Sequence, residues 1–371
     1  MQPELSIPLA LLVAAAVTYL VTPLAIRVAS ATGFLDKPAG YKGHGNPTPY
    51  LGGSAIMVGV LVAALAFGDP ARPFAVLGAC AAVMWVVGTI DDRHNLSPHL
   101  RLAVEIAIGA TLFATGHGWN VFASDVLDCA LTILWVAGIV NAVNLMDNMD
   151  GAAATVVGIS ATATGTLAVV VGNAELAPLC FAVAGGCVGF LPRNLARPSR
   201  IFMGDGGSMP LGLLVAGTSM EVASAGNLGV AGVLEIGLIV GVAILDTTLV
   251  MVSRRRGRRP LMTGGRDHLT HRLRTRVGTP GAVAGSLASL QFMLCAAAIV
   301  AGLIGAGAIL GVTALVLGAG AWAISRLERQ PWFDAPAAQV LLAETQAHLP
   351  QRTPTRFVRR GDRSHAESVV A

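Results

Sequence analysis

Length, composition and charge already separate this chain from ordinary soluble proteins. Of its 371 residues, 54% are hydrophobic and 12% are charged, whereas soluble domains average about 45–50% and 25%. Apolar runs recur along nearly the whole length, which favours one integral membrane domain over several soluble domains. The net charge of +4 does not indicate a nucleic-acid partner, because the basic residues lie between the apolar runs, where they set orientation in the membrane.

The first apolar run, residues 5–26, is long enough to cross about 30 Å of hydrocarbon as a helix. The segment before it, Met1-Gln2-Pro3-Glu4, has no basic residue, and Arg27 follows the run. A secretory signal has the opposite arrangement. We therefore expect a retained helix with its N-terminus outside the cell.

The hydropathy pattern predicts an all-α, polytopic membrane helical bundle with about eleven transmembrane helices. An odd number of spans places the two termini on opposite sides, and several short or Gly-rich spans favour tilts or breaks. The predicted spans are 5–26, 51–67, 74–90, 101–116, 126–142, 152–172, 177–191, 209–220, 228–250, 282–303 and 306–325.

The distribution of basic residues sets the orientation. With the N-terminus outside, 24 of the 25 Lys and Arg residues fall on the inward side, and Arg72 is the exception. This asymmetry predicts a multi-pass protein of the bacterial inner membrane with a cytoplasmic C-terminus. Residues 1–325 form the predicted membrane domain. The polar segment 326–371, with its basic cluster at 352–363, is predicted to be a largely disordered cytoplasmic tail that is attracted to anionic lipids.

Acidic and histidine residues gather at the inward ends of the predicted spans. Carboxylates at a membrane boundary are costly unless they are paired, hydrated or bound to metal, so each is a functional candidate. The four groups are Asp91 and Asp92; Asp147 and Asp150; Asp205; and Asp267, His268 and His271. The five cysteines, in contrast, lie in or beside apolar stretches without metal-ligand spacing and are predicted to be packing residues.

These residue types suit the chemistry of a diphosphate. Mg²⁺ is commonly held by one or two carboxylates together with substrate phosphates and water. Glycines beside Asp205 allow backbone N–H groups to approach an anion, and Ser208 is a candidate cap for the helix that follows.

Structural explanations exist for each residue taken singly. One Asp at a helix end is more often a cap than a ligand, and the arginines of 254–276 are chiefly a topology signal. Asp246 is equally consistent with a buried hydrogen-bonding role and with a site role, whereas Glu105 and Glu235 read as structural or interfacial. The occurrence of four such groups on one predicted face favours a functional site.

Five ordered motifs carry a family resemblance. They are DKPAGYKGHGNPTPYLGG, GTIDDRHNL, NAVNLMDNMDG, GFLPRNLARPSRIFMGDGGS and DHLTHRL, between Asp36 and Leu273. The chain thereby resembles the polyprenyl-phosphate N-acetylhexosamine-1-phosphate transferases, the superfamily of phospho-N-acetylmuramoyl-pentapeptide transferase. Three positions depart from the family pattern: Tyr41 in place of Arg, Asn148 in place of Gly, and Thr270 in place of His.

The resemblance implies roles for individual residues. Asp205 would be the principal ligand of Mg²⁺, or of Mn²⁺ as a substitute, and Asn144 would be a second ligand. Asp91 and Asp92 would lie near the lipid phosphate, with Asp92 as the base or as a phosphate-positioning group. The residues implied to line the nucleotide pocket are Asp147, Asp150, Asn194 and Phe202, the last stacking on uracil. Those implied to contact the diphosphate or the rest of the substrate are Lys42, His44, His268, His271 and Arg272.

The implied reaction moves a sugar-1-phosphate from a UDP-sugar to undecaprenyl or decaprenyl phosphate and releases UMP. Direct attack by the lipid phosphate is favoured over an aspartyl-phosphate intermediate, since a phosphate monoester is already a nucleophile. UDP-N-acetylglucosamine is the preferred donor. The muramoyl-pentapeptide branch comes second because the final motif lacks an adjacent His pair followed by Glu. The resemblance also suggests a homodimer, although the residues themselves leave the oligomeric state open.

Two other classes compete with this prediction. The segment 147–154 resembles the opening of a CDP-alcohol phosphatidyltransferase motif, but Thr155 stands where Arg should follow and the next span has no Asp. A transporter or channel would line a mid-bilayer path with its charges, whereas these charges lie almost wholly at one face, with Asp246 as the exception.

Overall fold

The computed structural model describes residues 3–36, 47–68, 72–226, 229–261 and 265–329. These residues form thirteen α-helices, a 3₁₀ turn at Ala174–Leu176, and one antiparallel pair of two-residue strands, β1 (Leu35–Asp36) and β2 (Thr48–Pro49). The helices are α1 Pro3–Thr32, α2 Gly52–Phe67, α3 Arg72–His94, α4 Pro98–Ala114, α5 Asp125–Met146, α6 Ala152–Val170, α7 Ala177–Asn194, α8 Asp205–Ala225, α9 Gly229–Ile239, α10 Gly241–Arg256, α11 Leu269–Val277, α12 Pro280–Ile304 and α13 Ala306–Glu328.

The prediction of an all-α, polytopic membrane bundle is confirmed. Within the described ranges, seven helices are long and apolar enough to cross a membrane, or eight if the bent pair α9–α10 forms one span. The other predicted spans fall in α2, a shorter apolar helix, and in α4 and α8. The count of eleven and its orientation stay predictions, as does the boundary between the membrane domain and the tail.

Helix α8 lies at the centre of the bundle and is buried along most of its length. It packs against α2, α3, α5, α6, α7 and α9. Glycines allow the closest approaches: a Cβ at Gly53 of α2 would collide with the backbone of Gly207, and a Cβ at Gly88 of α3 would collide with the backbone of Asp205. The first turn of α8 is therefore fixed between the ends of α2 and α3.

The predicted span 228–250 is broken in the structure. Helices α9 and α10 meet at an angle of 78° around Val240. Buried Gln291 of α12 bridges the break: its side-chain nitrogen donates to the Ile239 carbonyl at 2.5 Å and its oxygen accepts from the Val242 N–H at 3.1 Å. Because an unpaired backbone group in hydrocarbon costs several kcal/mol, this side chain makes the bend tolerable within the membrane.

We define the site face as the end of the bundle where α3, α5 and α7 end and α8 begins. Helix α11, which is short and amphipathic, lies at this end and packs on α12. The loop before α8 is pinned to the start of α2, since the N–H groups of Gly52 and Gly53 donate to the carbonyls of Phe202 and Met203. The site face is thus built from segments that are far apart in sequence.

Candidate active site

Asp92 caps the buried helix α8. Its two carboxylate oxygens accept hydrogen bonds from the first backbone N–H groups of that helix, those of Asp205 at 2.8 Å and Gly206 at 3.0 Å. These N–H groups have no partner within their own helix and form its positive end. Gly204 adopts φ +73°, and a Cβ there would lie 2.5 Å from Asp92 Oδ2. Asp92 therefore fixes the position of Asp205, while its predicted role toward the lipid phosphate stays a prediction.

The carboxylates of Asp91 and Asp205 both contact the guanidinium group of Arg101. Arg101 Nη1 lies 2.7 Å from Asp91 Oδ2 and 3.1 Å from Asp205 Oδ2. About a quarter of the Arg101 side chain is exposed, as is 29% of Asp205, so solvent reaches this group. The arrangement brings one positive and two negative charges together at the ends of α3, α4 and α8.

Asn144, near the end of α5, contacts the carboxylate of Asp205. Its side-chain nitrogen donates to Asp205 Oδ1 at 2.8 Å and to Ser208 Oγ at 3.0 Å. The structure thus brings the two predicted metal ligands into direct contact. It places the amide nitrogen of Asn144, and not its oxygen, against the carboxylate. Ligation by Asn144 stays a prediction.

Crowding of carboxylates perturbs their ionisation. Burial, the shared contact with Asp91 and the charges of Asp92 and Asp91 hold the pKa of Asp205 well above its usual range. Burial, followed by the charges of Asp205, Asp92 and Asp150, likewise raises the pKa of Asp147. A bound divalent cation would relieve this repulsion and reverse the direction of these shifts.

The donor set suits Mg²⁺ in chemical type. The residues that the structure describes include no group of three or more His, Cys, Asp or Glu side chains arranged to hold a metal ion. Mg²⁺, however, characteristically takes only one or two carboxylates and completes its shell with water and phosphate oxygens. Asp205 and Asp91 offer hard carboxylate oxygens that already face one positive group. The residues therefore fit such an ion.

Asn194 joins two loops of the site face. Its buried side-chain oxygen accepts from the Gly151 N–H at 2.6 Å, and its nitrogen donates to the Ile201 carbonyl at 3.0 Å and lies 3.5 Å from Asp150 Oδ1. Gly151 adopts φ +80°, a conformation that glycine accepts readily. The structure therefore brings together Asp150 and Asn194, two of the residues predicted to line the nucleotide pocket, and Asn194 links their two loops.

Phe202 presents a half-buried ring beside this link. Its N–H donates to the Pro49 carbonyl at 2.8 Å, and its ring lies 6.3 Å from that of Tyr50 at an angle of 58°. Burial and the charges of neighbouring carboxylates, Asp36 first among them, hold the pKa of Tyr50 well above its usual range. The aromatic pair thus lies close to the carboxylate cluster. Stacking of uracil on Phe202 stays a prediction.

His268 is oriented by a buried carboxylate of α10. Asp246 accepts from His268 Nδ1 at 2.8 Å and from the Leu269 N–H at 2.6 Å. Asp246 is fully buried and His268 is 4% exposed, so the pair is shielded from water. An Nδ1–H that donates to a carboxylate leaves Nε2 as the atom able to accept a proton or a hydrogen bond. Asp246 is therefore a buried hydrogen-bonding residue whose partner is a predicted site residue, and its own role in the site stays a prediction.

His271 lies one helical turn away, with its ring 6.4 Å from that of His268. Burial, followed by the positive charges of His268, Arg266 and Arg274, lowers the pKa of His271 to about 4. His271 is therefore neutral near pH 7. It can accept or donate a hydrogen bond at a phosphate, but it does not supply a fixed positive charge.

Two buried ion pairs flank this helix. Asp267 is bound by Arg254 Nε at 2.9 Å, and although burial raises the pKa of Asp267, the hydrogen bonds and charge of Arg254 outweigh that effect and hold it below its usual value. Arg272 Nη2 donates to Glu328 at 2.6 Å and to Ser253 Oγ at 3.1 Å. Arg272 is 4% exposed, so these contacts hold α11 against α10 and α13. Its predicted diphosphate contact stays a prediction.

Two predicted substrate-binding residues, Lys42 and His44, lie outside the described residues. The remaining predicted residues all lie on the site face, in two groups: one around the start of α8 and one around α11. The sequence interpretation missed Arg101, which it used only as a topology signal. The recognisable signal was its place one turn into α4, after a link of only three residues from the Asp91-Asp92 helix.

Comparison with known proteins gives a consistent result. Residues 74–223 match the family described as glycosyl transferase family 4. A probable undecaprenyl-phosphate N-acetylglucosaminyl 1-phosphate transferase of Bacillus subtilis is 31% identical over 72% of this chain and 77% of its own length. A decaprenyl-phosphate N-acetylglucosaminephosphotransferase of Mycobacterium tuberculosis is 34% identical over 71% of this chain and 74% of its own.

A third relative shows a similar level of identity. An undecaprenyl-phosphate alpha-N-acetylglucosaminyl 1-phosphate transferase of Yersinia pestis is 29% identical over 67% of this chain and 71% of its own length. The family match, residues 74–223, includes Asp91, Asp92, Arg101, Asn144 and Asp205.

Proposed function

Because this chain belongs to glycosyl transferase family 4, with the polyprenyl-phosphate N-acetylglucosamine-1-phosphate transferases as its relatives, we propose that it transfers N-acetylglucosamine-1-phosphate from UDP-N-acetylglucosamine to a polyprenyl phosphate. One observation carries this proposal: Asp91, Asp92 and Asp205 converge with Arg101 at the start of the buried helix α8. This is a place where a lipid phosphate and a soluble diphosphate can meet.

The proposed step is an in-line displacement at phosphorus. An oxygen of the polyprenyl phosphate forms a bond to the β-phosphorus of the UDP-sugar, and the bond from that phosphorus to the bridging oxygen breaks. UMP leaves with the bridging oxygen, and the lipid keeps the sugar on a diphosphate. Positioning and charge compensation account for most of the catalysis in such reactions.

Mg²⁺ is the proposed metal, with Mn²⁺ as a substitute, and Asp205, Asn144 and Asp91 are the residues that would hold it. When bound, the ion would neutralise charge on the phosphoryl oxygens. Arg101 adds positive charge from the protein itself. Asp92 keeps the N-terminal end of α8 in place, and Asp246 orients His268.

The orientation of the site is part of the proposal. Eleven spans would place 24 of the 25 Lys and Arg residues, and the site face, on the cytoplasmic side of the bacterial inner membrane. The apolar chain of the acceptor would then stay in the bilayer while UDP-N-acetylglucosamine arrives from the cytoplasm. Homodimer formation is a further prediction from the family resemblance.

The donor is proposed from the names of the relatives and from the histidine motif. All three relatives described above are named for N-acetylglucosamine transfer, to undecaprenyl phosphate in two cases and to decaprenyl phosphate in one. A UDP-muramoyl-pentapeptide donor is the second candidate, since that enzyme belongs to the superfamily that the motifs resemble.

Purified protein in detergent tests the proposal directly. We expect UMP release from UDP-N-acetylglucosamine that requires both polyprenyl phosphate and Mg²⁺, and no release from UDP-muramoyl-pentapeptide. Release from the pentapeptide donor alone would identify the second candidate. Binding of UDP-sugar with no UMP release in any combination would favour a transporter.

A further inference from the structure

Two residues from motifs that are far apart in sequence contact each other on the site face. Asn148 lies between Asp147 and Asp150 in sequence, and Thr270 lies between His268 and His271. The Thr270 hydroxyl donates a hydrogen bond to the side-chain oxygen of Asn148 across a separation of 122 residues. This contact joins the two motifs that contain the predicted substrate-binding carboxylates and histidines.

Both partners are held firmly. Asn148 donates from its side-chain nitrogen to the Leu145 carbonyl at 2.6 Å, which ties it to the last turn of α5. Thr270 is fully buried in the first turn of α11. A buried hydroxyl that loses its partner carries the whole desolvation penalty, so the structure retains this contact strongly.

The other side-chain hydrogen bonds of α11 named above lead to other helices, while Leu269 packs in an apolar cluster that includes Met146 and Met149. Asp246 and Ser253, which bind His268 and Arg272, belong to α10, and Glu328, the second partner of Arg272, belongs to α13. These contacts fix α11 against its neighbouring helices. The Asn148–Thr270 bond instead crosses to the loop of Asp147 and Asp150, where a shift of about 1 Å in a catalytic group can lower a rate about 10²-fold.

We propose that Asn148 and Thr270 are positioning residues, which set the location of His268 and His271 relative to the loop of Asp147 and Asp150. The inference rests on the proposed function, because it assigns these two motifs to one substrate. Neither residue needs to contact the substrate itself.

A double-mutant cycle tests the pairing. Thr270→Val removes the hydroxyl at nearly constant volume, Asn148→Ala removes its acceptor, and the double variant removes both. We expect each single variant to lower kcat/KM for UDP-N-acetylglucosamine roughly 5–20-fold, mainly by raising KM. The double variant should be no less active than the less active of the two single variants. Thr270→Ser should retain nearly wild-type values. Losses that multiply in the double variant, or a fully active Thr270→Val protein, would overturn the pairing.

A control separates positioning from general stability. Thr275→Val alters an exposed hydroxyl of the same helix, which donates to the Arg272 carbonyl, and should leave kcat/KM and the melting temperature unchanged. If the loss of activity in Thr270→Val were matched by a large drop in melting temperature and not rescued by Thr270→Ser, the role would be structural and the proposal wrong.

Hydrogen–deuterium exchange gives a readout that does not depend on turnover. In Thr270→Val we expect faster exchange at the start of α11 and in 147–151, with α12 and α13 unchanged. A wild-type protein that releases no UMP would contradict the proposed function. If the wild type is active but Thr270→Val shows unchanged exchange, only this inference is contradicted.

Discussion

The two halves of the site face treat charge in opposite ways. Around the start of α8, the carboxylates of Asp91 and Asp205 share one partly exposed arginine, and Asp92 is bound to backbone N–H groups. Around α11, polar groups are buried as pairs, such as the hydrogen-bonded Asp246 and His268 and the ion pair of Arg254 with Asp267. In our proposal a metal ion and phosphates replace the partners in the first half, whereas the second half is held together by buried contacts within the protein.

This difference predicts different consequences of mutation. Removal of one member of a buried ion pair leaves an uncompensated charge and is destabilising by about 3–5 kcal/mol. A partly exposed pair contributes far less to stability. Changes around α8 should therefore lower turnover with little loss of fold, and changes around α11 should lower both.

The largest effect is expected from Asp205→Asn. The turnover number should fall at least about 100-fold, because the asparagine side chain cannot supply an anionic oxygen to a divalent ion. The melting temperature should stay close to that of the wild type. UMP release and thermal unfolding in detergent measure the two quantities. Asp125→Asn, which alters an exposed carboxylate in the first turn of α5, is the control. An active Asp205→Asn protein, or a wild-type protein that works in excess chelator, would contradict the metal assignment.

Asp92→Asn should be the next most severe change. An amide can accept at its oxygen but offers its NH₂ group to the second backbone N–H, so one of the two contacts to α8 is lost. We expect turnover to fall about 100-fold while UDP-N-acetylglucosamine binds nearly normally by calorimetry. Loss of nucleotide binding in this variant would instead place the metal at the Asp91-Asp92 pair.

Phe202→Ala sharpens the comparison by testing the nucleotide side. If uracil stacks on this ring, the variant should lose about 1–3 kcal/mol of UDP-sugar affinity, and kcat at saturating donor should change less. Phe202→Tyr keeps a ring and serves as the matched control. Equal affinities in wild type and Phe202→Ala would remove Phe202 from the pocket.

Asp246→Asn tests the half of the site face around α11. The amide can satisfy only part of the two contacts that Asp246 makes. We expect about tenfold lower kcat together with a clearly lower melting temperature, unlike Asp205→Asn. An Asp246→Asn protein of wild-type stability would show that the two halves do not differ as proposed.

The smallest expected effect concerns pH. The pKa of His271 is about 4 in the folded protein, whereas an unfolded histidine titrates near 6.5. Between these values the unfolded chain binds more protons, so the stability contribution of neutral His271 is present above about pH 6.5 and is lost as the pH falls. His271→Asn should therefore lose fewer degrees of melting temperature between pH 7 and pH 5 than wild type. An identical loss would contradict the lowered pKa.

Much of the fold was predictable from the sequence because span length and hydropathy are local properties. Gly-rich spans favoured breaks in general, but the position of the break at Val240 was not predictable, since Gln291, which satisfies its backbone groups, comes from α12. No local pattern marks that glutamine as a partner of a helix 49 residues earlier.

The candidate site shows the same limit. The span pattern placed Asp92 and Asp205 on one predicted face, and the structure brings both to the start of α8 together with Asn144, which only the family resemblance had named. That Asp92 caps α8 depends on the close approach of α3 and α8 at Gly88, which is a tertiary property. The contact of Arg101 with the two carboxylates was not predicted, because a basic residue at the end of a span is explained equally well by membrane topology.

The fate of the β-phosphorus of the donor tests the central claim most directly. UDP-N-acetylglucosamine labelled with ³²P at that position is incubated with purified protein, polyprenyl phosphate and Mg²⁺, and the products are separated into aqueous and organic phases. We predict that the label moves to the organic phase as a lipid-linked diphosphate sugar while unlabelled UMP stays in water. Label that remained in UDP, or that appeared as free N-acetylglucosamine-1-phosphate, would contradict the transfer of a sugar phosphate to the lipid.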